Sequence, residues 1–228
     1  MDKPTQEIKK KAKGLTLGLL AAIILFLITV FIFWFITDEI VFEKEGRFDD
    51  AVFKMLQHYT NPATTHVMLL FTFFGSTKFL LPAYILLAGF FLFYKRHRLY
   101  SLTVAVIGLS SIGLLYLLKD IFHRHRPLEP LTPNVVGYSY PSGHSFSSFT
   151  FFGLLTYIIW KTDLSNLWKW ILSVLFISLA VCIALSRVYL HVHFASDVVA
   201  GFCLSIIWLS ISLWILLRIQ RSKKLELI

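Results

Sequence analysis

The sequence predicts an all-α, polytopic membrane protein with six spans and both termini on the cytoplasmic side. Three observations carry that reading. Hydrophobic residues make up 57% of the 228 and charged residues only 15%. Mean hydropathy is +0.70, well above the balance of a soluble domain. Uncharged runs cover Gly14–Thr37, Phe79–Tyr94, Leu99–Leu118, Gly143–Trp160, Trp170–Ser186 and Val198–Leu217, each near the length a helix needs to cross a bilayer core of about 30 Å. The basic residues, finally, sort by membrane side along the chain rather than gathering on one helix.

The elements follow in order within one integral membrane domain over residues 1–228. The first span covers about 14–37. Lys9, Lys10, Lys11 and Lys13 ahead of it look like the start of a signal peptide, but the run is too long and no small-residue cleavage site precedes Asp38, so it is expected to remain as an anchor. In the external segment Asp38–His66, the residues Phe48, Val52, Met55 and Tyr59 recur at helical spacing against Asp49, Asp50, Lys54 and Gln57, which predicts a helix lying on the membrane surface. The second span covers about 66–94, long enough to kink at Gly75. Spans three to six follow at about 99–118, 143–160, 169–187 and 197–218. Between spans three and four, Pro130 and Pro133 stiffen a loop that turns at Gly137. Cys182 and Cys203 both fall inside spans, so no disulfide is expected.

A net charge of +9 would suggest nucleic acid as the partner of a soluble protein. Here an inside amino terminus places Lys3, Lys9, Lys10, Lys11, Lys13, Lys95, Arg96, Arg98, Lys161, Lys169, Arg218, Arg221, Lys223 and Lys224 on the cytoplasmic side, as the positive-inside tendency requires. A nucleic-acid partner is therefore not expected, and nothing points to an obligate protein partner.

Three short polar segments break the apolar pattern, and all three fall on the outer side of this topology. In Lys119–Pro127 (KDIFHRHRP), Lys119 and Arg126 stand two helical turns apart, so a helix continuing to Pro127 brings both cations to one face. Arg124 is out of phase with them, and His123 and His125 read as interfacial side chains. In Pro141–His144 (PSGH), Pro141 and Gly143 permit a tight turn directly before a helix, whose first amides at Ser142, Gly143 and His144 form an anion site. His144 brings a ring that titrates near neutrality, suited to acid–base work. In Ser186–Asp197 (SRVYLHVHFASD), His193 and Asp197 are four apart, so on a helix the carboxylate orients the ring and frees its far nitrogen as a nucleophile. His191 has Ala195 in the matching position, which orients nothing. Arg187 joins the site only if the chain turns between Val188 and Val192.

The spaced set Lys119-x6-Arg126-Pro127, Pro141-Ser142-Gly143-His144, and Ser186-Arg187-x5-His193-x3-Asp197 resembles the three-part signature of the type 2 phosphatidic acid phosphatase family, closest to its bacterial membrane lipid phosphatases. The resemblance implies a site at the outer membrane face that removes phosphate from lipid phosphates and pyrophosphates, among them phosphatidylglycerophosphate, undecaprenyl pyrophosphate, phosphatidic acid and diacylglycerol pyrophosphate. It implies His193 as nucleophile, Asp197 as its orienting group and His144 as proton donor. Lys119, Arg126, Ser142, Gly143 and Arg187 hold the phosphoryl oxygens, with neither metal nor cofactor. The expected location is a bacterial cytoplasmic membrane, with membrane lipids as surroundings and a lipid phosphate as substrate.

Two other classes use the same residues. His144, His191, His193 and Asp197 are all of zinc-ligand type, but three neighbouring cations oppose a bound metal. An anion transporter would line its path with basic residues at membrane depth, whereas these cations all lie at one edge.

Overall fold

The structure, a computed structural model, describes residues 3–42, 46–133 and 135–225. Among the described residues every regular element is a helix: α1 (Lys3–Thr37), α2 (Arg47–Gln57), α3 (Pro62–Phe74), α4 (Thr77–Gly89), α5 (Arg98–Phe122), α6 (Gly143–Trp160), α7 (Asn166–Tyr189) and α8 (Ala195–Leu225). Wide π-helical turns extend α1 over Asp38–Phe42 and α4 over Phe90–Tyr94.

Five stretches are long and apolar enough to cross a membrane: Leu19–Ile40, Pro62–Tyr94, Arg98–Phe122, Asn166–Tyr189 and Ala195–Gln220. The Gly143–Trp160 helix is not among them, because its first turns carry His144, Ser145, Ser147 and Ser148. Its position explains how this is tolerated. Helix α6 is the centre of the bundle, packed against α4, α5, α7 and α8, with Ser145, Phe146, Ser148, Phe149, Thr150, Phe151, Phe152 and Leu154 all buried. A helix surrounded by protein can carry hydroxyls that bond to its own carbonyls, as Ser148 does to His144 O and Thr150 to Phe146 O. A lipid-facing helix cannot leave polar groups unpaired. At the other extreme, Leu19–Ile40 is almost wholly unburied by the rest of the protein, and Leu19, Phe31 and Trp34 stand outward.

Two glycines set the approach of elements around the site. A Cβ on Gly201 in α8 would lie 2.8 Å from Ser142 O, so the absence of a side chain lets α8 pass directly beneath the start of α6. Gly75 lies in the break between α3 and α4, where a Cβ would fall 2.4 Å from Ile183 Cγ2 and 3.2 Å from His144 Cδ2. The long second span is thus interrupted at Gly75, where the sequence anticipates a kink, and the break is seated on α7 and against His144. Asn61 starts α3, accepting from Thr64 N at 2.9 Å ahead of Pro62 at the first helical position, the usual chemistry of a helix start.

Helix α2 forms where the surface helix is expected, with Phe48 and Met55 outward as a lipid-facing side requires, but Asp49 departs from the expected polar side. Asp49 is buried and Val52, Phe53 and Leu56 are half-buried, whereas Phe48 and Met55 stand exposed. Phe53 contacts the His191 and Phe194 rings at centroid distances of 4.9 and 5.7 Å. The side turned to the protein therefore includes a carboxylate, which the sequence reading places on the wet side.

Candidate active site

The site is assembled where α5, α6, α7 and α8 end or begin together. Helix α5 stops at Phe122 because His123 turns left-handed, at φ 49°, a conformation uncommon outside glycine. The helix thus does not continue to Pro127, contrary to the helical-phase expectation for Lys119 and Arg126. The two cations still converge, because the following loop folds back over the helix end. Lys119 Nζ donates to Tyr138 O and Ser139 O. Arg126 donates through Nε to Gly137 O at 2.9 Å and through Nη1 to Val192 O at 2.7 Å.

Helix α6 begins at the PSGH segment. Ser142 is fully buried and its Oγ accepts from Ser145 Oγ at 3.0 Å, with Ser145 N more distant at 3.5 Å. Its own amide donates to Asp197 O at 3.0 Å, so it ties α6 to α8 instead of facing an anion. The amides of Gly143 and His144, the first two of the helix, have no intrahelical acceptor by construction. The His144 ring is half-buried and lines a cavity.

Helix α7 ends at Tyr189, and a turn through His191, at φ 54°, brings the chain to α8. This is the reversal that Arg187 requires. Arg187 Nη1 bonds to Thr72 Oγ1, while its buried Nε has no partner among the described residues. His193 lies in the turn rather than on the helix, and Asp197 occupies the first turn of α8. The four-residue spacing still pairs them: His193 Nδ1 is 3.4 Å from Asp197 Oδ2, and that same oxygen accepts from Phe194 N at 2.9 Å and from Ser139 Oγ.

The tautomer of His193 follows from its other nitrogen. Nε2 lies 3.3 Å from Arg126 Nη1, and a guanidinium only donates. Nε2 is therefore the unprotonated nitrogen, and the ring proton of the neutral form resides on Nδ1, facing Asp197. The lone pair points toward the cations. His193 is 2% exposed, and burial, reinforced by the charges of Arg187 and Arg126, lowers its pKa to about 4 against the opposing pull of Asp197. The ring is thus neutral at physiological pH.

Arg124, out of phase with Lys119 and Arg126 on a continuous helix, is central to the geometry. Its Nη1 donates to Asp197 Oδ1 at 2.5 Å and to Ser196 Oγ at 2.8 Å, and its Nη2 donates to Asp49 Oδ2 at 2.8 Å. Its Cζ lies 4.0 Å from the Phe194 ring centroid. The phase argument failed because the chain leaves the helix before Arg124. The sequence pattern holds no signal for this role, since the period of α2 sets Asp49, the partner of Arg124, on the polar side. His123 and His125 are exposed. His191 packs on Phe53 and does not line the cavity that His144 and His193 share. Among the described residues no three His, Cys, Asp or Glu side chains meet in a metal-holding group, so the four zinc-ligand types are not gathered at one point.

Lys119, Arg126, His144, Arg187 and His193 together close one end of a cavity of about 360 Å³ whose remaining walls are mostly apolar, formed by Leu80, Leu81, Tyr84 and Ile85 of α4 and Leu109, Ile112 and Leu115 of α5, with the hydroxyls of Thr77, Ser111 and Ser147 among them. Residues 98–221, over half of the chain, match the PAP2 superfamily. The chain belongs to that superfamily. It is 33% identical over 162 residues to phosphatidylglycerophosphatase B of Bacillus subtilis, covering 70% of this chain and 78% of that protein. It is 30% identical over 174 residues to an undecaprenyl-diphosphatase of Sulfolobus acidocaldarius, covering 74% and 78%. The crystal structure of a transmembrane PAP2-type phosphatidylglycerolphosphate phosphatase from Bacillus subtilis superposes with a TM-score of 0.74 at 27% identity, covering 82% of this chain and 93% of that one. Within the superfamily this chain is thus a membrane protein of the phosphatidylglycerophosphatase B type, which agrees with the family resemblance seen in its motifs.

Proposed function

We propose that this protein is a membrane lipid phosphatase that cleaves phosphate from lipid phosphates or pyrophosphates through a phosphohistidine on His193. The observation that carries the reading is the joining of two unlike surfaces in one cavity. A cluster of cations with two histidines forms its end, and an apolar channel between α4 and α5 leads away from it. Leu81, Ile85, Leu109 and Ile112 are exposed at its flank, so the channel opens toward lipid tails. A phosphate on an apolar chain fits both halves, whereas a water-soluble phosphate uses only one. Phosphatidylglycerophosphate and undecaprenyl pyrophosphate are favoured by the names of the relatives, with phosphatidic acid and diacylglycerol pyrophosphate of the same chemistry.

In the proposed reaction, Lys119, Arg126, Arg187 and the Gly143 and His144 amides hold the phosphoryl oxygens, with Ser142 fixing the helix start that presents those amides. His193 Nε2 attacks phosphorus and the P–O bond to the leaving group breaks, while His144 gives that oxygen its proton. Asp197 steadies the Nδ1–H as positive charge develops on the ring. Water then attacks the phosphohistidine, losing a proton to His144, and the P–N bond breaks to return His193 and free phosphate. The cations supply the charge neutralisation that phosphoryl transfer demands, so no metal is needed.

The test is turnover by purified protein in detergent with EDTA, on the four lipid substrates and on glycerol phosphate. We expect kcat/KM for the preferred lipid to exceed that for glycerol phosphate by about 100-fold or more, since binding of the remote chain assists the chemical step. Leu81→Trp, at the channel flank, lowers the lipid value and spares the soluble one. Equal values for both substrates, or loss to EDTA with rescue by Zn²⁺, would contradict the proposal.

The same proposal includes six spans, with α6 as the fourth, both termini in the cytoplasm of a bacterium, and the site at the outer face. Its support is the distribution of basic residues. In a background without Cys182 and Cys203, a cysteine at Thr132 should react with an impermeant thiol reagent in intact cells and one at Asn166 should not. The opposite labelling pattern places the site in the cytoplasm.

A further inference from the structure

We infer that Asp49 and Arg124 form a positioning strut that keeps one oxygen of Asp197 available to the His193 ring, a role that rests on His193 being the nucleophile. Asp49 lies on α2, outside the 98–221 region that matches the superfamily. It is 1% exposed, and its partners are two parts of the site. Its Oδ1 accepts from Ser196 N at 2.9 Å and its Oδ2 from Ser196 Oγ at 2.7 Å and Arg124 Nη2 at 2.8 Å. One carboxylate thus holds both the first turn of α8 and one arm of the Arg124 fork.

The geometry shows what that hold accomplishes. Arg124 has two terminal nitrogens, and a guanidinium facing a single carboxylate prefers to engage both of its oxygens. Here Nη2 is taken by Asp49, so only Nη1 reaches Asp197, and it reaches Oδ1. Oδ2 is left to Ser139 Oγ, Phe194 N and His193 Nδ1. Asp49 also shares the charge of Arg124 between two carboxylates, so that Asp197 keeps enough negative charge to hold the ring proton. Without Asp49 the fork is free to rotate onto both oxygens of Asp197 and draw Oδ2 from the ring. The 3.4 Å distance between His193 Nδ1 and Asp197 Oδ2 is already at the long end of a hydrogen bond, so a small rotation suffices to lose it. Neither Asp49 nor Arg124 lines the cavity, which makes them positioning residues.

The experiment is a double-mutant cycle in kcat and KM on the preferred lipid phosphate, using the full chain in detergent. Asp49→Asn should lower kcat by about 10- to 100-fold, the scale on which groups orienting a functional histidine act, with KM changed less than about twofold. In an Asp197→Asn background the same substitution should cost less than about twofold more, because its effect passes through Asp197. Equal losses in both backgrounds would overturn the inference and leave Asp49 a purely structural residue, as would wild-type kcat in folded Asp49→Asn. If Asp49→Asn fails to fold, Arg124→Lys carries the same cycle, since one ammonium cannot replace a fork spanning two carboxylates. His193→Ala is measured alongside. Its retaining turnover would reject His193 as nucleophile, an outcome distinct from failure of the strut.

Discussion

The two halves of the site differ in how completely their polar atoms are paired. Around Asp197 and Arg124 both carboxylate oxygens and both terminal nitrogens are engaged, and Asp49 and Asp197 are almost wholly buried. On the cavity side, Arg187 Nε is buried with no partner among the described residues, Lys119 is held only by loop carbonyls, and the Gly143 and His144 amides start a helix. Leaving buried donors unpaired costs about 1–3 kcal/mol each, so a protein retains them where something else completes them. The paired half has the character of prebuilt machinery and the unpaired half that of a receptor for an anion.

Substitutions in the two halves should therefore fail differently. Asp197→Asn strikes the paired half, where the ring would lose its orienting acceptor. We expect kcat to fall by about 10³- to 10⁴-fold, as when the orienting carboxylate of a catalytic triad is neutralised, with little change in KM. Arg187→Ala strikes the unpaired half and removes a donor to the phosphoryl oxygens. The expected loss in kcat/KM is about 10²- to 10³-fold, with KM raised as well, because the ground-state phosphate shares that contact. Steady-state kinetics on one lipid phosphate reads both, and the same kcat-to-KM pattern for the two variants would erase the distinction.

A smaller effect concerns pH. Attack requires neutral His193, and its folded pKa is about 4, below the ordinary 6.5. Lowering the pH from 7 should thus leave the ring neutral through the range in which a free histidine would protonate. Protonation of His193 should therefore contribute an acid limb only below about pH 5, while the proton-donor role of His144 shapes the profile above it and apparent values belong to the coupled pair. An acid limb centred near 6.5 would show that burial does not govern the ring.

Much of this was legible in the sequence. The residues His144, Arg187, His193 and Asp197 stand in motifs whose spacing survives changes of backbone conformation: the pairing of His193 with Asp197 holds although His193 precedes the helix. The run at 143–160 matches α6 to the residue because Ser142 and Gly143 mark its start chemically. Phase arguments failed where the chain left the helix. His123 ends α5 in a left-handed conformation, which no periodicity reveals, so helical phase misplaces Arg124 and joins Lys119 and Arg126 by the wrong geometry. The period of α2 marks the helix and its polar positions Asp50, Lys54 and Gln57, which are exposed, but not that Asp49 turns inward. A membrane protein presents two apolar surroundings, lipid and core, and an exposed Phe48 and Met55 satisfy the pattern as well as buried ones would.

The central claim is that the nitrogen facing the cations, His193 Nε2, forms a bond to phosphorus. Rapid mixing with a radiolabelled lipid phosphate, quenched in base, where phosphohistidine survives, and followed by peptide mapping tests it directly. The account predicts label on His193 in the wild type, none in inactive His193→Ala, and full label in His191→Ala. Label on His191, or turnover by His193→Ala, would contradict it.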